Sequence, residues 1–251
     1  MHTNVATLTN KEYWDKTRSD FVPFRVDTTV FSHILEKILP FNPNYTCADI
    51  GAYPGRYLVD FAKRFGYHPV AIEYSDHCED IETLFEYNGI ENYTIINKDF
   101  FQIKNIQFDV VFSNGFIEHF DDYETVMDAH FKIVKKGGYL IVSVPYIGGF
   151  QGILRRLTYI DEKLNTILST HNLKIMDLDE LKRVMSLHPC EIVYAEYINH
   201  MRIWFFADSP FVRDSMRWLV GIVNYVDKKI GKKIPSSKYI SPTILVVVKK
   251  H

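Results

Sequence analysis

The stretch from Thr46 to Pro145 alternates short apolar runs with segments of helical periodicity, and this alternation limits the folds open to the chain. Three segments with apolar residues every three or four positions lie at 55–65, 78–89 and 123–138. Five apolar runs have the length of β-strands: TCADI, PVAIEY, YTIIN, FDVVFSN and YLIVSVP. Short apolar strands joined by helices are typical of a parallel sheet covered on both faces. The pattern therefore predicts a doubly wound α/β fold.

The segments on either side of this region extend the same domain. TVFSHILEKIL, at 29–39, predicts an amphipathic helix before the first strand. EIVYAEYIN and TILVVVKK predict two more strands, which gives a mostly parallel seven-stranded sheet. The chain has 251 residues, 47% of them hydrophobic, and this size and composition are suited to one large domain.

A glycine-containing turn, DIGAYPGRY, follows the first predicted strand. Glycine permits positive φ and close approach of a ligand, and the helix start that follows offers free N–H groups. Because ligands of parallel sheets bind beyond the carboxyl ends of the strands, the turn predicts a nucleotide-like ligand. The dinucleotide fingerprint requires glycines at 53 and 56, where Tyr53 and Arg56 stand, and the Gly-Lys-Ser/Thr of a P-loop is missing.

The turn is the first of five motifs that follow one another along the chain. They are DIGAYPGRY, AIEYSD, KDF, SNGFIEHFDD and IVKKGGYLIVSVP. Together, over about residues 45–145, they resemble the motifs of class I S-adenosylmethionine-dependent methyltransferases. The resemblance implies an enzyme that binds S-adenosylmethionine and releases S-adenosylhomocysteine. Tyr53 departs from the family pattern, because many members have glycine at that position.

The resemblance assigns roles to side chains at the strand ends. Glu73, twenty-two residues after Gly51, would accept hydrogen bonds from both ribose hydroxyls. Asp99 would accept from the adenine amino group, and Phe100 would pack on the adenine ring. Each has a simpler alternative: a tight turn at the glycines, a solvated carboxylate at Glu73, a helix N-cap at Asp99 and a core position for Phe100.

An N-terminal helix of related enzymes often folds over the cofactor, and its aromatic side chains exclude water. In the segment NKEYWDKTRSD, the resemblance assigns this role to Tyr13 and Trp14. Arg18 is the predicted partner of the methionine carboxylate. The complete predicted set of cofactor contacts is Tyr13, Trp14, Gly51, Ala52, Tyr53, Gly55, Glu73, Tyr74, Asp99, Phe100 and Asn114.

We divide the single methyltransferase domain, 1–251, into four parts. An N-terminal helical cap (1–44) precedes the cofactor-binding core (45–145). A substrate or lid segment (146–190) follows, and the last part (191–251) holds two strands with a helical insertion.

His119 is the predicted catalytic residue, because it follows the fourth strand and an imidazole can take a proton near neutral pH. The alternative is a histidine that only packs or hydrogen-bonds beside the cofactor. Metal-dependent methylation of the catechol type requires clustered Asp and Asn ligands after the fourth strand. Asp121 and Asp122 lack obvious partners, so we predict no metal.

Acceptor-binding residues are expected outside the cofactor half of the chain. YIGGFQGILRRLTYI contains Arg155, Arg156 and Tyr159, and His171 follows it. Arginine suits phosphate or carboxylate, so Arg155, Tyr159 and His171 are predicted to bind a small anionic acceptor. By analogy, we expect a nucleotide-linked or phosphorylated sugar of polysaccharide or capsule biosynthesis. A nucleic-acid methyltransferase and a non-catalytic, cofactor-binding scaffold stay open as alternatives.

The charge, the cysteines and the hydropathy of the chain limit the expected location and partners of the protein. A net charge of −2 gives no general attraction to nucleic acid, so none is expected as a partner. Three scattered cysteines favour a reducing cytoplasm, and no run approaches the ~18 apolar residues of a membrane span. The apolar stripe and lysines at 211–233 predict a helix with three alternatives: packing on this domain, a homodimer interface or weak membrane-surface contact. The oligomeric state is therefore monomer or homodimer.

Overall fold

The computed structural model describes residues 5–17, 21–158, 161–199 and 236–251, together with the isolated positions 218, 221, 222 and 225. The strands are β1 (Thr46–Ile50), β2 (His68–Glu73), β3 (Thr94–Asn97), β4 (Phe108–Asn114), β5 (Val134–Pro145), β6 (Cys190–Ile198) and β7 (Thr243–Lys250). The helices are α1 (Lys11–Thr17), α2 (Ser32–Leu35), α3 (Arg56–Phe65), α4 (Cys78–Tyr87), α5 (Tyr123–Lys132), α6 (Gly149–Thr158), α7 (Asp161–Thr170) and α8 (Leu178–Met185).

The strands form one sheet of seven, in the order β3-β2-β1-β4-β5-β7-β6. The first five strands in this order are parallel to one another. β7 lies between β5 and β6 and runs antiparallel to both. The predicted doubly wound, mostly parallel seven-stranded sheet is therefore confirmed. The order reverses at β1 and β4, whose carboxyl ends lie side by side, and ligands of such sheets bind at this point.

Buried apolar side chains form two clusters, which accounts for the long apolar runs of the central strands. Side-chain caps set the starts of two helices. The Asp122 carboxylate accepts a hydrogen bond from the Thr125 amide before α5, and Asp177 accepts from the Asp179 and Glu180 amides before α8. A left-handed glycine, Gly66, ends α3.

Two predicted helices have different bounds in the structure. The segment 29–39 contains only the four-residue helix α2, and Pro40 disfavours a helical conformation at the residue before it. The segment 123–138 is helical only to Lys132, and β5 begins at Val134. The Lys135 ammonium donates to the Asp109 carboxylate on β4 at 2.8 Å, which holds this segment in the sheet.

The described helices include none with the length and apolar character that crossing a membrane requires. The helix predicted at 211–233 lies outside the described residues, apart from isolated positions. The four-part division of the chain stays a prediction.

Candidate active site

The glycine turn lies at the carboxyl end of β1, between β2 and β4. Gly51 has φ of +70° and its amide donates to the Ile72 carbonyl on β2 at 2.9 Å. The Ala52 amide donates to the same carbonyl at 3.3 Å. A Cβ at position 51 would lie 3.2 Å from the Phe116 ring, so glycine fits both the conformation and the space.

Glu73 ends β2 and is only 4% exposed. One carboxylate oxygen accepts from the Tyr53 amide of the glycine turn at 3.1 Å. The other accepts from the Tyr74 and Ser75 amides at 3.0 and 2.9 Å. Backbone donors from two loops therefore fix the position of this carboxylate.

A second carboxylate, Asp49, lies behind the turn on β1. Burial, and next the nearby Glu73 carboxylate, raise the pKa of Asp49 well above its ordinary value. Arg56, at the start of α3, acts in the opposite direction. Asp49 therefore favours the neutral form more strongly than an ordinary carboxyl group does.

The other predicted cofactor residues surround the same strand ends. Asp99 caps the short 3₁₀ helix 100–102, its carboxylate accepting from the Phe101 amide at 2.9 Å. Phe100 is 5% exposed, with its ring centroid 4.9 Å from that of His130 in a buried cluster. The structure thus shows the alternative position of each residue, a helix cap for Asp99 and a core position for Phe100. Asn114 ends β4 half-buried, and Tyr74 is 50% exposed.

The N-terminal segment covers the site. The Leu8 amide donates to the His119 carbonyl at 2.8 Å, and the Trp14 ring meets the His119 ring edge-on at a centroid distance of 4.9 Å. Lys11 forms ion pairs with Asp15 and with Asp76 after β2. Tyr13 packs edge-on against Trp14 at 5.2 Å. Arg18 lies outside the described residues.

His119 lies at the end of the 3₁₀ helix 117–119 after β4 and is 5% exposed. Its Nδ1 lies 2.7 Å from the Thr170 carbonyl at the end of α7, and its ring is 4.6 Å from the His171 ring. Burial, and next the neighbouring His171, lower the pKa of His119 to about 4, so the imidazole is neutral near pH 7. In the tautomer that donates to Thr170, Nε2 carries the lone pair.

Glu118 is 1% exposed, and burial raises its pKa to about 8. Its Oε2 has no hydrogen-bond partner among the described residues. A buried carboxyl oxygen in this state is costly unless a ligand or ion satisfies it. Glu118 and His119 are therefore two neighbouring buried polar residues of the same 3₁₀ helix.

The structure describes only some of the predicted acceptor-binding residues. His171 contacts His119, as described above. Arg155 lies within α6, Arg156 on the same helix is exposed, and Tyr159 lies outside the described residues. The roles of all the predicted site residues stay predictions.

Asn172 contributes to the site without a signal that the sequence analysis recognised. Its backbone amide donates to the Glu118 carbonyl at 2.6 Å. Its side-chain amide donates to the Phe120 and Asp121 carbonyls, each at 3.2 Å. These bonds fix the end of α7 against the segment after β4, about fifty residues earlier in the chain.

His130 lies behind the site on α5. Its Nδ1 contacts the Val126 carbonyl at 2.7 Å and its Nε2 contacts the Ser113 hydroxyl at 3.1 Å. Burial lowers its pKa to about 4. Between about pH 6.5 and pH 4, His130 is therefore neutral in the folded protein, whereas the unfolded chain takes up a proton at this side chain.

We expect replacement of His130 by glutamine to reduce the fall in the free energy of unfolding between pH 7 and pH 5. With a depressed folded-state pKa, the histidine's contribution is complete above pH ~6.5 and is lost as pH falls towards 4. Urea unfolding at pH 5 and pH 7 measures the effect, with His33→Gln at an exposed position as the control. An unchanged difference between the two pH values in the His130 variant would contradict the buried, neutral state of this side chain.

The sheet, with a glycine turn and a buried carboxylate at adjacent strand ends, defines the class of protein. The chain belongs to the family described as a methyltransferase domain, whose model matches residues 25–195. It is a class I S-adenosylmethionine-dependent methyltransferase, so the class and the cofactor predicted from the motifs are confirmed.

Particular relatives can be named within this class. The chain is similar to phosphoethanolamine N-methyltransferase 2 of Caenorhabditis elegans, at 27% identity over 158 residues. The match covers 57% of this chain and 36% of the length of that relative.

Solved structures share the fold at lower identity. Geranyl diphosphate C-methyltransferase from Streptomyces coelicolor A3(2), in complex with Mg²⁺, geranyl diphosphate and S-adenosylhomocysteine, matches with a TM-score of 0.59 and 13% identity. That match covers 88% of this chain and 78% of the other. A SAM-dependent methyltransferase from Archaeoglobus fulgidus matches with a TM-score of 0.52 and 14% identity, covering 87% and 92% of the two chains.

Proposed function

We propose that the protein transfers the methyl group of S-adenosylmethionine to an oxygen or nitrogen atom of a small, anionic acceptor. The observation that carries this proposal is the placement of two functional groups at neighbouring strand ends. The Glu73 carboxylate is held by backbone amides at the glycine turn, and the neutral His119 imidazole follows β4. The first group suits the ribose of the cofactor, and the second suits an acceptor that loses a proton.

Methyl transfer from a sulfonium needs little chemical assistance from the protein. The leaving thioether departs neutral, so catalysis consists mainly of aligning the acceptor and excluding water. Trp14 and His171 cover His119 in this structure, which supports a site closed to water around the reacting atoms. A neutral hydroxyl or ammonium acceptor also has to lose a proton, and we assign its removal to His119.

A phosphate group on the acceptor is supported by two of the relatives. Phosphoethanolamine and geranyl diphosphate, the compounds in their names, both carry phosphate. The exposed Arg156 of α6 is suited to bind such a group, because the guanidinium forms two parallel hydrogen bonds with phosphate oxygens. Arg155 stays a sequence prediction for the same role. The polysaccharide context and the cytoplasmic location stay predictions.

Calorimetric titration with S-adenosylmethionine, S-adenosylhomocysteine and NAD tests the cofactor, and we expect micromolar affinity for the first two. Mass spectrometry of reactions with phosphorylated amines, phosphorylated sugars and nucleotide-linked sugars then identifies the acceptor. The dephosphorylated form of each compound is the matched control. Equal turnover of the phosphorylated and dephosphorylated forms would contradict an anionic acceptor.

Replacement of His119 by alanine separates proton removal from cofactor binding. With a neutral acceptor group, we expect turnover to fall by roughly 10²-fold, the lower end of the range for a positioned general base, because a pKa of about 4 makes His119 a weak base. Affinity for S-adenosylmethionine should change by less than about threefold. His68→Ala, at the amino-terminal end of β2, is the control. Near-normal turnover of the His119 variant at neutral pH would show that the acceptor reacts without this base.

A further inference from the structure

Three side chains with metal-binding atoms meet beside the proposed acceptor position. Glu118, His119 and His171 each offer one ligand atom within 4.8 Å of those of the other two. Neighbouring ligands of a tetrahedral zinc ion are about 3.4 Å apart, since each bond is about 2.1 Å long. Small side-chain rotations therefore suffice to bring the three atoms onto one ion.

The hydrogen bonds of the two imidazoles prepare them as ligands. His119 Nδ1 lies 2.7 Å from the Thr170 carbonyl, and His171 Nδ1 lies 2.9 Å from the Ile167 carbonyl. Metal-binding histidines characteristically donate their second N–H to a carbonyl or carboxylate, which fixes the ring and directs Nε2 towards the ion. Both histidines have this arrangement on a backbone carbonyl of α7.

The third side chain is a buried carboxyl that the fold leaves incompletely bonded. Glu118 is 1% exposed, and its Oε2 has no hydrogen-bond partner among the described residues. An ion would satisfy this oxygen and offset the cost of burying it. Two imidazole nitrogens and one carboxylate oxygen suit zinc and its neighbours, whereas magnesium prefers oxygen ligands alone.

The elements that carry the three groups are fixed to each other. Asn172 bonds to the backbone of Glu118, Phe120 and Asp121, so the end of α7 cannot shift independently of the segment after β4. A site built on such supported elements costs little to order when an ion binds.

We propose that Glu118, His119 and His171 form a binding site for one divalent transition-metal ion of the zinc type. This departs from the sequence prediction of no metal, which considered only Asp121 and Asp122. The ion would bind to the lone pair of His119 to which we assign proton removal. The group that faces the acceptor would therefore differ between the metal-bound and the metal-free protein. Metal binding itself does not depend on methyl transfer.

Cobalt(II) is the probe, because its visible absorption reports ligand number and geometry. The untagged full-length protein, stripped with a chelator, is titrated with Co²⁺, and binding is also measured by calorimetry with Zn²⁺. We expect one ion per chain and an absorption band of four- or five-coordinate cobalt. Glu118→Gln and His171→Ala should each weaken binding at least tenfold, while His33→Ala, at an exposed position, should leave it unchanged.

Each outcome decides the proposal. Absence of stoichiometric binding, or binding that survives both Glu118→Gln and His171→Ala, would overturn it. Unfolding curves check that the variants are folded, and His171→Gln replaces the alanine variant if that one is unstable. Titration of the same preparations with S-adenosylmethionine keeps the two proposals apart. Retained cofactor binding without cobalt binding contradicts the metal site alone, and the reverse result contradicts the proposed function alone.

Discussion

Replacement of Glu73 by alanine is expected to weaken the binding of S-adenosylmethionine by about a hundredfold. In the proposed complex the carboxylate accepts hydrogen bonds from both ribose hydroxyls, each worth roughly 1.5–3 kcal/mol because the acceptor is charged. Water that enters the vacated space recovers part of this energy. A net loss of roughly 2.7 kcal/mol corresponds to a hundredfold change in the dissociation constant.

The alanine variant also removes the acceptor of three backbone amides, so a second variant is needed to isolate the charge. Glu73→Gln keeps an oxygen that accepts from the Tyr53 amide or from the Tyr74 and Ser75 amides, but it is neutral. We expect it to bind the cofactor roughly tenfold more weakly than the unmodified protein. Calorimetry gives the affinities, and Glu91→Ala on an exposed loop is the control. Unchanged affinity in both Glu73 variants would remove the assignment of this residue to the ribose.

Replacement of Gly55 by alanine is expected to lower the melting temperature by roughly 5–15 °C. Gly55 has φ of +96°, and a Cβ there would lie 2.9 Å from the Phe85 ring and 3.1 Å from Ile81. The left-handed backbone costs a non-glycine residue about 1–2 kcal/mol, and overpacking a core costs about 1–3 kcal/mol more. For a domain of this size, each kcal/mol lowers the melting temperature by about 2–4 °C.

Gly89→Ala is the matched control for this substitution. Gly89 also has positive φ, +74°, but a Cβ there would meet nothing within 4 Å. Gly89→Ala therefore has the backbone cost without the steric contact. We expect it to lower the melting temperature by less than half as much as Gly55→Ala does. Equal melting temperatures for the two variants, measured by differential scanning calorimetry, would show that α4 moves freely to accommodate the added methyl group.

The sequence predicted the sheet well because burial on both faces leaves a strong local signal. TCADI and FDVVFSN are apolar runs that end at a glycine, and β1 and β4 have the predicted bounds. The boundary between α5 and β5 was wrong because its determinant is distant. Lys135 resembles a basic residue at a helix end, but Asp109 on the neighbouring strand holds it in the sheet.

The candidate site also has parts that the sequence pattern predicts and parts that it does not. Gly51 and Glu73 lie at strand ends, so a pattern of strands is enough to bring them together. The meeting of His119 with His171 depends on how α7 docks, and the hydrogen bonds of Asn172 that fix this docking give no periodic signal. The sequence also does not reveal that Glu118 Oε2 lacks a hydrogen-bond partner among the described residues, since burial of one side chain depends on the whole assembly.

The position of β7 has a consequence for how the protein is made. β6 pairs only with β7 within the described sheet, and β7 is separated from it by more than forty residues of chain. During translation, β6 therefore leaves the ribosome without its partner, and β5 has one open edge, until residues 243–250 have emerged. The parallel half of the sheet, with its glycine turn, can form earlier. We expect a nascent chain stalled before residue 243 to be compact around β1–β5 and prone to association through the open edge of β5.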